Sequence, residues 1–158
     1  MVNIIIIVFL VAIDQFFKYL ATEFLSGGTT FVIIPHLLGL NYVKNYGAGF
    51  SLLNGKVNFL IIITSIALIG IAWAILAKKF ETKFEEFCFV LILAGGIGNL
   101  VDRALNGFVV DYLEFLFVKF PIFNFADILI CCGVALFIIY NFSNGIFTKE
   151  KKVKNEHE

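Results

Sequence analysis

Four aspartates, Asp14, Asp102, Asp111 and Asp127, lie in or beside long apolar runs, in company with Lys18, Asn99, Arg103 and Asn124. Ionisable groups near a bilayer core are costly unless they pair or face a polar cavity, so each carboxylate is a candidate functional group. Two aspartates brought together at low dielectric cannot both ionise easily and come to share a proton. One can then act as base on a water while the other protonates a carbonyl or a leaving amine. Such a pair hydrolyses an amide with neither metal nor cofactor. The spacing favours shared helix faces: Asp14 and Lys18 are four apart in the orientation that suits an i,i+4 ion pair, and Asn99 lies three and four residues before Asp102 and Arg103. Asn124 and Asp127 are three apart. The bland reading of Asp14 with Lys18 is a structural, snorkelling pair, and it is preferred to direct chemistry.

Other chemistries find less support. Only His36 and His157 are present and neither stands in a zinc-binding spacing, so no metal site is expected. Ser65 is alone in an apolar run, and the stretch Gly95, Gly96, Gly98 lacks the P-loop lysine, so its default reading is close helix packing in a membrane. Cys88, Cys131 and Cys132 show no paired spacing and read as packing residues.

The elements that must position these groups are membrane helices. Sixty per cent of the 158 residues are hydrophobic, 20 are Phe and only 15% are charged, more apolar surface than a soluble core of this size could hide. The formal net charge of zero argues against a nucleic-acid partner. One integral membrane domain is expected over 1–158, all-α, with four spans at about 1–20, 57–77, 84–105 and 123–147. Between the first two spans, 21–56 carries Gly27, Gly28, Thr29, Thr30 and Pro35 as turn signals and reads as an outward loop with short strands. The stretch 106–122 reads as an interfacial segment lying over the site, and 148–158 as a solvated tail. The first span lacks a basic leader and is followed by Asp14, Gln15 and Lys18 where a cleavage site would fall, so it is read as retained.

Lys78, Lys79 and Lys83, with Lys149, Lys151, Lys152 and Lys154 in the tail, put seven of twelve basic residues on one side, which the positive-inside rule makes cytoplasmic. Both termini then lie inside. At 1.5 Å per residue Asp14 falls in the outer half of its span, and Asn99, Asp102, Arg103, Asn124 and Asp127 fall within about 9 Å of the outer ends of theirs. The polar residues of three alternating helices thus fall at one level, and if those faces meet they build one polar pocket at the outer membrane surface.

Taken in order, the chain resembles the lipoprotein signal peptidases (signal peptidase II), aspartyl endopeptidases of the bacterial plasma membrane. The resemblance rests on Asp14, Gln15 and Lys18; on Asn45, Gly47, Ala48, Gly49, Phe50 and Ser51; on Gly95, Gly96, Gly98, Asn99, Asp102 and Arg103 leading to Val109, Val110 and Asp111; and on Phe123, Asn124, Ala126 and Asp127. It covers nearly the whole chain. It implies that Asp111 and Asp127 are the catalytic dyad, that Asp14, Lys18, Asn45, Gly47, Asn99, Arg103 and Asn124 line or support the substrate site, and that Asp102 is structural beside Arg103. Gly49 stands where the family commonly has Ala. The implied substrate is a prolipoprotein whose cysteine already carries a diacylglyceryl group, cut on the amino side of that cysteine at the outer face, by a monomer surrounded by membrane lipids and using no cofactor. A proton-coupled transporter or channel subunit is the competing reading, because paired acids in a bundle can also relay protons. It is disfavoured by the absence of internal repeats.

Overall fold

Each helix follows from an apolar run long enough to satisfy its own backbone in lipid. The computed structural model of the chain describes residues 1–49 and 52–155, with side chains as far as Asn144. Helix α1 spans Val2–Leu25, α2 Val57–Leu76, α3 Lys83–Asn106 and α4 Phe125–Asn155, and each contains a stretch long and apolar enough to cross a membrane. Phe50 and Ser51 of the outward-loop motif, and the side chains of the tail lysines, lie outside the described residues.

Helix α3 is the hub on which α1, α2 and α4 pack, and its glycines explain how. A Cβ at Gly95 would collide with the carbonyl oxygen of Ala126 in α4, one at Gly96 with Leu68 in α2, and one at Gly98 with the Asp14 carboxylate in α1. Without a hydrophobic driving force between helices in lipid, close backbone approach at small residues is what holds them together. Gly133 of α4 returns the contact: a Cβ there would stand 2.6 Å from the carbonyl oxygen of Cys88. Gly70 of α2 differs, with nothing within 4 Å of its would-be Cβ. Gly70→Ala is therefore expected to raise stability by ~0.5–1 kcal/mol, read as a higher midpoint in detergent unfolding.

Helix α1 buries a single stripe, Asp14, Lys18, Ala21 and Leu25, and turns the rest of its apolar surface outward. Helix α3 begins at a capping box in which the Thr82 side chain accepts from the Glu85 amide and the Glu85 carboxylate accepts from the Thr82 amide. It ends at Gly107, whose φ of 77° is the left-handed cap that turns the chain sharply into a strand.

That strand is the main departure from the sequence reading. The stretch 106–122 does not simply lie across the surface, because Val109–Phe115 forms β3 and pairs antiparallel with β2 (Leu38–Asn45), which pairs with β1 (Phe31–Ile34) in the order β1-β2-β3. The burial of β3 does not alternate: Val109, Val110, Asp111 and Tyr112 are all buried, so both faces of the strand are covered where it carries Asp111. Val110 and Tyr112 pack on Ala21 and Leu25 at the end of α1, with Leu40, Tyr42, Phe108 and Leu113 around them. Cys88 is buried as a packing residue, whereas Cys131 and Cys132 are exposed on α4, and all three are free thiols.

Candidate active site

Asp111 stands in the middle of β3, opposite Val43 of β2. Its strand is also held on the far side, where Leu113 and Phe123 exchange backbone hydrogen bonds of 2.8 and 3.0 Å. This antiparallel bridge brings Asn124 up to Asp111, and the Asn124 side chain donates to Asp111 Oδ1 at 2.7 Å. The other oxygen, Oδ2, accepts from Asn45 Nδ2 at 2.9 Å across the β2–β3 pair.

Asp127 is positioned by helix chemistry. Asn124 precedes the first residue of α4, and its side-chain oxygen accepts from the Asp127 amide at 3.0 Å while Asp127 Oδ2 accepts from the Asn124 amide at 3.1 Å. The pair is a capping box with Asp127 as its third helical residue, where the positive end of the helix favours a carboxylate. Asp127 Oδ1 accepts from Asn99 Nδ2 at 2.8 Å. Every oxygen of the two aspartates thus receives an N–H, and Asn124 serves both: its side chain binds Asp111 and its backbone binds Asp127.

Beneath the pair lies a buried ion cluster. Lys18 Nζ reaches Asp14 at 2.9 Å, Asp102 at 3.3 Å and the Asn99 side-chain oxygen at 2.9 Å. Asp14 and Asp102 are almost fully buried, at 0% and 2% exposed, so their charges depend on these partners. Asp102 and Arg103, adjacent in sequence, turn to different partners. Successive helical residues point about 100° apart, and Asp102 faces Lys18 while Arg103 Nη2 donates to the Gly47 carbonyl at 2.7 Å. The Gly47 amide in turn donates to Asn45 Oδ1 at 2.9 Å. All ten residues singled out from the sequence therefore belong to one connected network.

The sequence reading quoted Gln15 in the resemblance but gave it no role at the site; its Nε2 lies 3.1 to 3.2 Å from Asp14, the Gly98 carbonyl and Asp102. A second polar residue beside Asp14 in an apolar span was the signal for it. The backbone donors Val110 and Ala126, which bind Asp102 at 2.9 Å and Asp14 at 3.0 Å, had no sequence signal at all.

Burial first, then the nearby charge of Asp127, pushes the Asp111 carboxyl up to about 7, against the opposing pull of its hydrogen bonds from Asn45 and Asn124. A carboxyl that holds its proton near neutrality, beside a second aspartate fixed at a helix start, is an arrangement for acid–base catalysis. The family profile described as Signal peptidase (SPase) II matches residues 6–143. The chain belongs to the signal peptidase II family. It is 38% identical over 154 residues to the lipoprotein signal peptidase of Staphylococcus aureus (strain MRSA252), covering 96% of this chain and 94% of that protein. Two solved structures of bacterial membrane enzymes, obtained by the in meso method, superpose with TM-scores of 0.84 and 0.79 at 36% and 38% identity. The first covers 91% of this chain and 89% of its own, the second 88% and 91%. The signal peptidase II family makes this multi-pass membrane protein a peptidase that processes lipoproteins, and its aspartic type is consistent with that family.

Proposed function

We propose that this signal peptidase II cleaves diacylglyceryl-modified prolipoproteins on the amino side of the lipidated cysteine, with Asp111 and Asp127 activating a water. The observation that carries the reading is the bridging of the two aspartates by one residue, Asn124, with an N–H on each of their four oxygens. Asp127, at the positive end of α4, acts as base. It takes a proton from water as the hydroxide oxygen bonds to the scissile carbonyl carbon, while Asp111 gives its proton to the carbonyl oxygen. Collapse of the resulting diol breaks the C–N bond: Asp127 passes its proton to the leaving amine and a diol proton returns to Asp111. Arg103 and the asparagines bind substrate carbonyls. Arg103 Nε, a buried donor without a partner among the described residues, is available for one of them.

The lysine distribution supports a topology with both termini in the cytoplasm and the sheet end of the bundle, with the dyad, at the outer face, where a lipid-anchored cysteine would be held. The test is cleavage of a diacylglyceryl-modified lipobox peptide by purified protein, with the product identified by mass. Because Asp111 acts with its proton on, kcat/KM is expected to fall as pH rises through about 7. A profile flat from pH 6 to 9 would remove that role from Asp111.

A further inference from the structure

The residue immediately before each aspartate of the dyad is gripped by a carboxylate of the same ion cluster. The Val110 amide, one residue before Asp111, donates to Asp102 Oδ2 at 2.9 Å. The Ala126 amide, one residue before Asp127, donates to Asp14 Oδ1 at 3.0 Å. Lys18 Nζ lies between the two carboxylates, at 2.9 Å from Asp14 and 3.3 Å from Asp102, and is itself 3% exposed.

We propose that the Asp14–Lys18–Asp102 triad is a positioning device that sets the separation of Asp111 and Asp127 by holding the backbone one residue before each. The strand and the helix that carry the two aspartates are consecutive in the chain and tied by the Leu113–Phe123 bridge, but that bridge lies two residues beyond Asp111 and four before Asp127, so the residue preceding each aspartate is held separately, by these carboxylates. A charge-assisted bond to the preceding amide fixes each Cα, and the shared ammonium fixes the two grips relative to one another. The proposal rests on the dyad reading given above. An error of about 1 Å in such a pair can cost on the order of 100-fold in rate.

The Asp102 arm can be tested without removing the acceptor. Asp102→Asn keeps an oxygen for the Val110 amide, whereas Asp102→Ala does not. We expect Asp102→Ala to lower kcat about 100-fold with KM for the lipidated substrate little changed, and Asp102→Asn to stay within about tenfold of wild type. Loosening the separation also weakens repulsion between the aspartates, so the basic limb of the kcat/KM profile moves toward the acidic limb in the Ala variant. The charged groups facing the dyad, Asp14, Lys18 and Arg103, are the same in both variants. Replacing the Val110 amide by an ester, through the matching hydroxy acid, deletes the donated N–H with Asp102 left in place, weakens the Val109 carbonyl as an acceptor, and is expected to reproduce the Ala result. It decides the matter if Asp102→Ala does not fold. Unchanged kcat and pH profile in the ester, or an equal loss in Asp102→Asn and Asp102→Ala, overturns the positioning role. Asp111→Asn and Asp127→Asn run in parallel separate this from failure of the dyad, because activity retained there removes the dyad itself.

Discussion

Asp111→Asn and Asp127→Asn are each expected to lower turnover of a lipidated substrate by at least about 1000-fold while the protein remains folded. Neither amide can exchange a proton with water at neutral pH, and each occupies nearly the volume of the acid it replaces. The two variants should part company in stability. Asp111 is 2% exposed and its carboxyl is raised from 3.8 to about 7, so between those values the folded protein binds a proton that the unfolded chain has released. Stability from this group is complete below about 4 and is lost as pH rises through about 7. Asn carries no such penalty, so Asp111→Asn should gain ~2–3 kcal/mol on wild type between pH 5 and pH 8. Unfolding midpoints of both proteins at the two pH values check this. A constant gap between them would mean that the buried charge is not what destabilises the wild type.

Gly95→Ala is expected to have the second largest effect. Its new methyl would meet the Ala126 carbonyl oxygen and stand 2.9 Å from Ile130 Cγ1, and the backbone on both sides is helical and cannot yield cheaply. The cost should be ~1–3 kcal/mol in stability. The larger consequence is catalytic, because the strained contact falls on Ala126, one residue before Asp127. A fall in kcat of about 100-fold at temperatures where the variant is fully folded would show that the α3–α4 approach serves the dyad as well as the bundle. A variant with normal kcat when folded would confine Gly95 to packing.

How far these features could be read from the sequence depends on the range of the interactions behind them. The four helices were legible because hydropathy is a local signal. So was the pairing of Asp14 with Lys18, since one helical turn of spacing decides it. The spacing of Asn124 and Asp127 was read as a shared stripe, and its capping box was visible in principle, because an Asn followed three residues later by an acid before an apolar run is a helix-start signature. The role of β3 was not legible. Its pairing with β2 brings Asn45 to Asp111 across 66 residues, and nothing in the local pattern of 106–122 names that partner. The partners of Asp102 were not legible for the same reason: the resemblance gave it a structural role beside Arg103, and the groups it binds, Lys18 on another helix and a backbone amide on a strand, are remote in sequence. The glycines were correctly read as packing positions, although which helix each admits depends on three-dimensional arrangement alone.

The two backbone groups of Val110 that point away from β2 are both occupied, the amide by Asp102 and the carbonyl by the Asn124 side chain at 3.4 Å. Just beyond, Leu113 is paired with Phe123. The strand bearing Asp111 therefore offers no free edge beside that aspartate, and a substrate cannot be recognised there by β-augmentation, the addition of a strand through repeated main-chain bonds. On the function proposed above, the peptide is read by discrete side-chain donors such as Arg103 with the substrate's lipid supplying the rest of the grip, and such an enzyme would tolerate varied residues around the cut and demand the anchor.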